Sequence, residues 1–419
     1  METANAIGTL TKPVIDYQAE ILREVEKGVH ASAVTLLETL IEQAYTARAS
    51  DIHIDPSHEG LIIKLRIDGV LQLVHSLPII VQPELISRLK ILCGLRTDEH
   101  AIAQDGRLRH SCRNLEVIDV RVSIMPLYYG ENAVLRLLVG GNETFSLTSL
   151  GFTVANQQKI LVAMKKPYGM ILATGPTGSG KTTTLYTLLS LQDAYESSIV
   201  TLEDPIEYAI KGVNQIQVNP RTGLTFAHGL RSILRQDPNT IMVGEIRDGE
   251  TAGLAVNISL TGHVVVSTLH TNDAATTLPR LLDMKIEPYL IASTVNIAIG
   301  QRLVRRLCMS CKLEKILSEE ESKVLRQFIF DKNFTLPAKV FISAGCTDCN
   351  YSGYSGRIGI HEVLVVTPAI REALIARASA AILRDAAITE GMVPMITDGL
   401  MKAFLGITSI EEVLKIHYE

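Results

Sequence analysis

Residues 175–182 read Gly-Pro-Thr-Gly-Ser-Gly-Lys-Thr, between the apolar run GMILAT and the helix-forming run TTLYTLLSL. The segment fits G-x-x-x-x-G-K-[ST] without a mismatch, and it sits where the pattern requires, after a strand and at the start of a helix. Gly175, Gly178 and Gly180 let backbone N–H groups curl around phosphate oxygens without Cβ clashes, with Pro176, Thr177 and Ser179 filling the loop between them. The helix that follows adds a partial positive charge at its N-terminus. Lys181 is placed to reach the β and γ phosphates of a nucleotide such as ATP, Thr182 to ligate Mg²⁺, and Thr183 to continue the first helical turn. A chain carrying this segment is held to an α/β architecture built on a parallel sheet.

The surrounding sequence agrees. GMILAT, SSIVTLED, TIMVGE and HVVVSTL are short, wholly apolar runs separated by helical patterns, as buried parallel strands are. The region before them differs. Val34, Leu37, Leu40, Ile41 and Ala44 recur at helical spacing, and PELISRLKILCGL reads as a second helix. DIHIDP, LIIKLRIDGVLQLV and LEVIDVRVSIMP alternate instead. In the last, Ile118, Val120, Val122 and Ile124 face inward, and Asp119, Arg121 and Ser123 face outward. The expected organisation is a weakly patterned tether over 1–33, a smaller α+β domain over 34–140, a Gly/Asn/Ser-rich linker over 141–150, and an α/β domain over 151–419.

Several classes are disfavoured. The net charge of −5 advertises no global field for nucleic acid, so no direct nucleic-acid contact is expected. No apolar run approaches the ~20 residues needed to span a bilayer, and METANAIGTLTKP lacks the marks of a signal peptide. The expected location is therefore cytoplasmic, with any membrane association arising through partners.

A phosphate cradle hydrolyses nucleotide only with groups that orient water and neutralise charge. TLEDPIEY supplies Glu203, Asp204 and Glu207. IMVGEIRD is an apolar strand that places Gly244 where an Mg²⁺-supporting aspartate is usual, and follows it with Glu245, able to polarise the attacking water. Glu203 or Asp204 is then the expected support of the metal. TGHVVVSTLHTNDA brackets a strand with His263 and His270, the latter placed to sense a γ-phosphate. Taken singly, each such residue is more often solvated, a helix cap or structural; their order behind the cradle favours a site.

Cys308, Cys311, Cys346 and Cys349 form two C-x-x-C pairs. Each pair can hold one edge of a tetrahedral thiolate site, and four thiolates leave no open position, so a structural Zn²⁺ is expected at the base of an insert over about 306–352. Redox cycling of a pair is the alternative.

GPTGSGKTTTLY, LEDPIEY, LRSILRQDPN, VGEIRD, TGHVVVSTLHTNDA, ASDIHIDP, RIDG and QDGR together resemble the secretion ATPases of type II secretion and type IV pilus assembly, nearly continuously over 34–419. The resemblance implies a homohexamer whose subunits pair a PAS-like N-terminal domain with a RecA-like ATPase domain, with ATP bound between them. It implies an acidic box at Glu203–Glu207, a Walker B glutamate at Glu245, a histidine box with His263 and His270, arginines of the N-terminal domain against the phosphates at Arg107 and Arg121, and further arginines near the site at Arg231 and Arg235. The implied partners are an inner-membrane platform protein and a docking component of the machine. The tetracysteine element resembles the assembly branch, against a retraction motor. A nucleic-acid-translocating ATPase and a non-catalytic nucleotide-binding scaffold are the further alternatives. Members of this branch usually carry an extra N-terminal domain; with about 33 residues ahead of the matching part, another docking surface or a compact variant system is the expectation.

Overall fold

In the computed structural model, residues 16–114, 116–138, 145–193, 196–329 and 334–418 are described. The chain divides into two compact units, Met1–Gly140 and Gly141–Glu419.

The first unit contains α1 (Tyr17–Val25), α2 (Ala33–Thr46), β1 (Ala49–Ser57), β2 (Gly60–Ile67), β3 (Val70–Leu77), α3 (Gln82–Leu92), β4 (Gln104–Ser111), β5 (Val117–Leu127) and β6 (Gly130–Leu138). Its six strands form one sheet in the order β3-β2-β1-β6-β5-β4, antiparallel throughout. One face of each central strand is apolar. Ile118, Val120, Val122 and Ile124 of β5 are buried with Ile52, Ile54, Leu61, Ile63 and Leu65, beneath Leu37, Leu40, Ile41 and Ala44 of α2. Val34 was expected in that helical stripe but is exposed.

Two features of this unit depart from the sequence reading. LIIKLRIDGVLQLV is two strands, because Asp68 and Gly69 both take positive φ (49° and 88°) and make a two-residue hairpin turn. Residues 17–31 are not a tether. Ile21 of α1 is fully buried in the core, Glu24 accepts from the Ser32 N–H at 2.7 Å, and Glu20 pairs with Arg113 at 2.9 Å. These ties run to residues up to 93 positions away, which local patterning does not reveal. Residues 1–15 lie outside the described residues.

The second unit contains α4 (Val154–Met164), β7 (Gly169–Thr174), α5 (Lys181–Ser190), β8 (Ile199–Glu203), β9 (Asn214–Gln217), α6 (Phe226–Ile233), β10 (Thr240–Val243), α7 (Gly249–Leu260), β11 (Val264–Leu269), α8 (Ala274–Asp283), α9 (Pro288–Thr294) and β12 (Val295–Leu307). It continues with β13 (Leu313–Ile316), α10 (Glu319–Arg326), β14 (Lys339–Ile342), β15 (Tyr354–Val365), α11 (Pro368–Ile375), α12 (Ala380–Thr389), α13 (Met395–Phe404) and α14 (Ile410–Tyr418). The main sheet runs β15-β12-β7-β11-β10-β8-β9 and is parallel except for the β12–β15 pair. Alternate residues feed two cores: Met170, Leu172, Ile241, Val243 and Val265 on one face, Ile171, Ala173, Met242, Val264 and Val266 on the other. Helices cover both faces, which is why these strands read as unbroken apolar runs. This is the expected α/β P-loop fold of RecA type, with its cradle leaving the interior strand β7.

Of the expected linker, 141–144 lie outside the described residues. Leu147 and Phe152 just beyond are buried in the second unit's core. No helix among the described residues is long and apolar enough to cross a membrane.

Candidate functional site

The cradle is shaped by glycine and held by the neighbouring strand. Gly178 and Gly180 have φ of 79° and 85°, and a Cβ built on Gly175 would lie 2.3 Å from the Gln301 carbonyl of β12. The Gln301 side chain donates to the Ser179 carbonyl at 2.6 Å and accepts from Thr184 Oγ1 at 2.8 Å, clamping the loop to the first turn of α5. Pro176, Thr177 and Gly178 are exposed, as a ligand-contacting rim must be, while Thr182 and Thr183 are half-buried.

Lys181 folds back onto the loop. Its Nζ donates to the Gly175 and Pro176 carbonyls at 2.7 and 2.9 Å. Burial lowers its pKa, and the negative charge of Glu245 opposes that shift. The ammonium thus sits in the field of the carboxylate that ends the β10 strand. The Ser179 hydroxyl is buried without a hydrogen-bond partner among the described residues. A cradle of positive-φ glycines, a buried ammonium satisfied only by carbonyls and an orphaned hydroxyl fit a polyphosphate ligand.

Glu245 is the centre of a small charged cluster. Its Oε1 pairs with Arg247 at 2.6 Å and its Oε2 lies 3.2 Å from His270 Nε2. His270 follows β11 directly, and Thr174 at the end of β7 ties that corner: its hydroxyl donates to the Leu269 carbonyl at 3.1 Å and accepts from the Thr271 N–H at 3.1 Å. Lys181, Glu245 and His270 therefore share the carboxyl ends of β7, β10 and β11, where an open parallel sheet presents its ligand. A Cβ at Gly244 would lie 3.3 Å from Glu203 Cα and from the Leu202 carbonyl, so a side chain there needs β8 to give by a few tenths of an ångström.

The remaining acidic and basic residues are distributed differently. Glu203 is 2% exposed, and its carboxylate accepts from Tyr186, from Thr201 Oγ1 at 2.5 Å and from Gln215 Nε2 at 3.1 Å. It anchors α5 and β9 to β8 rather than facing a metal. Asp204 is exposed, and its charge reaches Arg247. The Glu207 N–H donates to Tyr186 Oη at 3.3 Å. Arg231 pairs with Glu250 at 2.6 Å, and Arg235 donates to the Arg231 carbonyl at 3.0 Å. His263 corrects the sequence reading. The β7–β11 register aligns Val264 with Gly169 and Leu269 with Thr174. That places His263 at the far end of a six-residue strand, about 20 Å from the cradle end. There its Nδ1 meets the Ile258 carbonyl at 3.1 Å and Thr261 Oγ1 at 3.2 Å, a local structural role in this chain.

In the first unit, Arg107 and Arg121 are cross-strand partners on β4 and β5, and Arg121 is in turn opposite Arg136 of β6. Asp119, two positions before Arg121 on β5, pairs with Arg109 at 3.1 Å.

The four cysteines converge. Cys308–Cys346, Cys311–Cys349 and Cys346–Cys349 have Sγ–Sγ distances of 3.9, 3.8 and 3.8 Å. Thiolates at about 2.3 Å from a tetrahedral Zn²⁺ sit about 3.8 Å apart, so the donor set fits that ion. Burial works to raise the Cys349 thiol, but N–H donors from Cys346 and Gly353 bring it down to about 6. The insert that the cysteines close is the β13–β14 hairpin with α10, whose Ser318 and Glu321 form a capping box. Leu317, Leu325, Phe328 and Leu336 of the insert pack with Leu400, Ala403 and Phe404 of α13.

Residues 26–415 match the family described as Type II/IV secretion system protein. The chain belongs to this secretion family. It is 43% identical over 400 residues to the type IV pilus assembly ATPase PilB of Myxococcus xanthus, covering 95% of this chain and 70% of that one. It is 44% identical over 389 residues to the type II secretion system protein E of Aeromonas hydrophila, covering 93% and 76%. The ATPase DotB of Legionella pneumophila shares the fold, with a TM-score of 0.67 at 22% identity over 91% of this chain and 95% of that one. Within this secretion-family site, three residues escaped the sequence reading. Gln301 and Tyr186 act through tertiary contacts that carry no local pattern. Arg247 stands two positions beyond Glu245 in VGEIRD, and that proximity was the available signal.

Proposed function

We propose that this member of the secretion family is a motor ATPase that turns ATP hydrolysis into pilus assembly or type II secretion. The observation that carries the reading is the meeting of Lys181, Glu245 and His270 at the carboxyl ends of three adjacent parallel strands. Lys181 leaves the Gly175 and Pro176 carbonyls to bind the β and γ phosphates. Glu245 orients the attacking water and accepts its proton, a role that needs its carboxylate ionised and fixed. His270 and Arg247 hold the two oxygens of Glu245, and His270 is near enough to report a γ-phosphate through the same hydrogen-bond system. Thr182 would hold Mg²⁺, which supplies charge neutralisation on the phosphates. Glu203 is a positioning residue, acting through Tyr186 on α5. Cys308, Cys311, Cys346 and Cys349 would hold a structural Zn²⁺.

The resemblance and the family together support a ring of identical subunits working on an inner-membrane platform protein. They also support a requirement for Arg107 and Arg121 in turnover. Phosphate release from ATP and Mg²⁺ by the purified chain tests the reading. Glu245→Gln is expected to slow turnover by about a hundredfold or more while fluorescent-nucleotide binding is kept, and Lys181→Ala to weaken both. Loss of Arg107 and Arg121 is expected to reduce turnover and to leave the fold intact. Full turnover by Glu245→Gln would remove that residue as base and with it the proposed mechanism.

A further inference from the structure

A second cluster of metal-binding side chains lies in the first unit, independent of the phosphate cradle and of the tetracysteine centre. Leu108, His110 and Cys112 follow one another at strand spacing and so face the same side, the one covered by α2. Glu42 of α2 meets them there. The Cys112 Sγ, a Glu42 oxygen and a His110 ring nitrogen all lie within 4.8 Å of one another. Glu42 and Cys112 are 5% and 3% exposed.

The polar atoms of the cluster are incompletely satisfied. His110 Nε2 is shut off from solvent and makes no hydrogen bond among the described residues, its 3.5 Å approach to Glu42 Oε1 being an ion-pair contact only. Glu42 Oε1 accepts from the Arg113 N–H at 2.7 Å. The Arg113 guanidinium gives its hydrogen bonds to Glu20 of α1, at 3.2 and 2.9 Å, and acts on Glu42 through its charge. A buried carboxylate facing a ring nitrogen with no hydrogen bond between them is a pairing that a cation would complete.

We propose that Glu42, His110 and Cys112 bind a divalent cation of borderline softness, Zn²⁺ being the natural fit to one carboxylate oxygen, one imidazole and one thiolate. The donor set suits a tetrahedral ion with water as the fourth ligand. Binding converts the Cys112 thiol to thiolate and releases its proton to solvent. Residues 42 and 110–112 are far apart in sequence, so the ion staples α2 to the end of β4.

Metal content and cobalt spectra of the full chain test this. Chain purified with Zn²⁺ is expected to carry about one equivalent more than Cys112→Ser or His110→Gln, each checked for folding by circular dichroism. In a background with Cys308, Cys311, Cys346 and Cys349 all replaced by Ser, added Co²⁺ is expected to give a sulfur-to-cobalt charge-transfer band that disappears on adding Cys112→Ser. An equal zinc content in the wild type, Cys112→Ser and His110→Gln, all folded, overturns the proposal and leaves Glu42 and His110 as a buried polar pair. Uptake of Co²⁺ without the band, by folded chain lacking all four of those cysteines, overturns it equally.

Discussion

His361 shows what burial does to one residue. It is 1% exposed, stacked on Phe152 with ring centroids 3.6 Å apart. Burial first, and then the charge of Lys402, push its pKa well below the ordinary 6.5, while the Gly151 carbonyl works the other way. The unfolded chain takes up a proton near 6.5 and the folded chain does not. Stability from this group is therefore complete above that pH and falls as acid is added, by up to about 1.4 kcal/mol per pH unit. Urea unfolding between pH 7.5 and 5.5 is expected to show a shallower loss in His361→Gln than in the wild type. At the same scale, Lys181 and Thr182 were legible from the sequence because the loop that uses them is local. Glu203 was not, because Tyr186 and Gln215 lie 17 and 12 positions away.

At the scale of elements, Arg305 and Glu412 join β12 to α14. Glu412 accepts from Arg305 Nε at 2.9 Å and Nη2 at 2.6 Å, and from Lys415 at 2.8 Å. Burial opposes ionisation, yet the Arg305 and Lys415 hydrogen bonds bring its pKa down from 4.5 to about 2. A depressed carboxylate stabilises the fold above 4.5 and loses that contribution as pH falls toward 2. Glu412→Gln is expected to cost about 2 kcal/mol at pH 7 and to flatten the acid limb of a thermal-stability profile. The strands β7, β8, β10 and β11 were readable as elements from their short apolar runs. α1 was not, since its burial rests mainly on Ile21 and on ion pairs to distant residues.

Across the whole molecule, the tetracysteine centre fastens an insert to the second unit. Cys308 and Cys349 are buried, and the insert's apolar residues close over α13. Cys349→Ser is expected to lose about one zinc equivalent and to lower Tm by about 5 °C or more. ATP affinity should change by less than about twofold, since Cys349 is absent from the contacts that build the cradle. Unchanged zinc content in that folded variant would show that Cys349 holds no metal.

The amino-acid sequence alone determined the phosphate cradle, the four-thiolate donor set and the parallel-sheet class. Each depends on residues close in the chain or on an apolar period that the backbone geometry itself imposes. Tertiary structure decided which histidine stands at the cradle, because strand register separates His270 from His263 by the length of β11. It also decided that Glu203 serves packing and that Glu42 meets His110 and Cys112, since side chains brought together across a core leave no periodic trace along the chain.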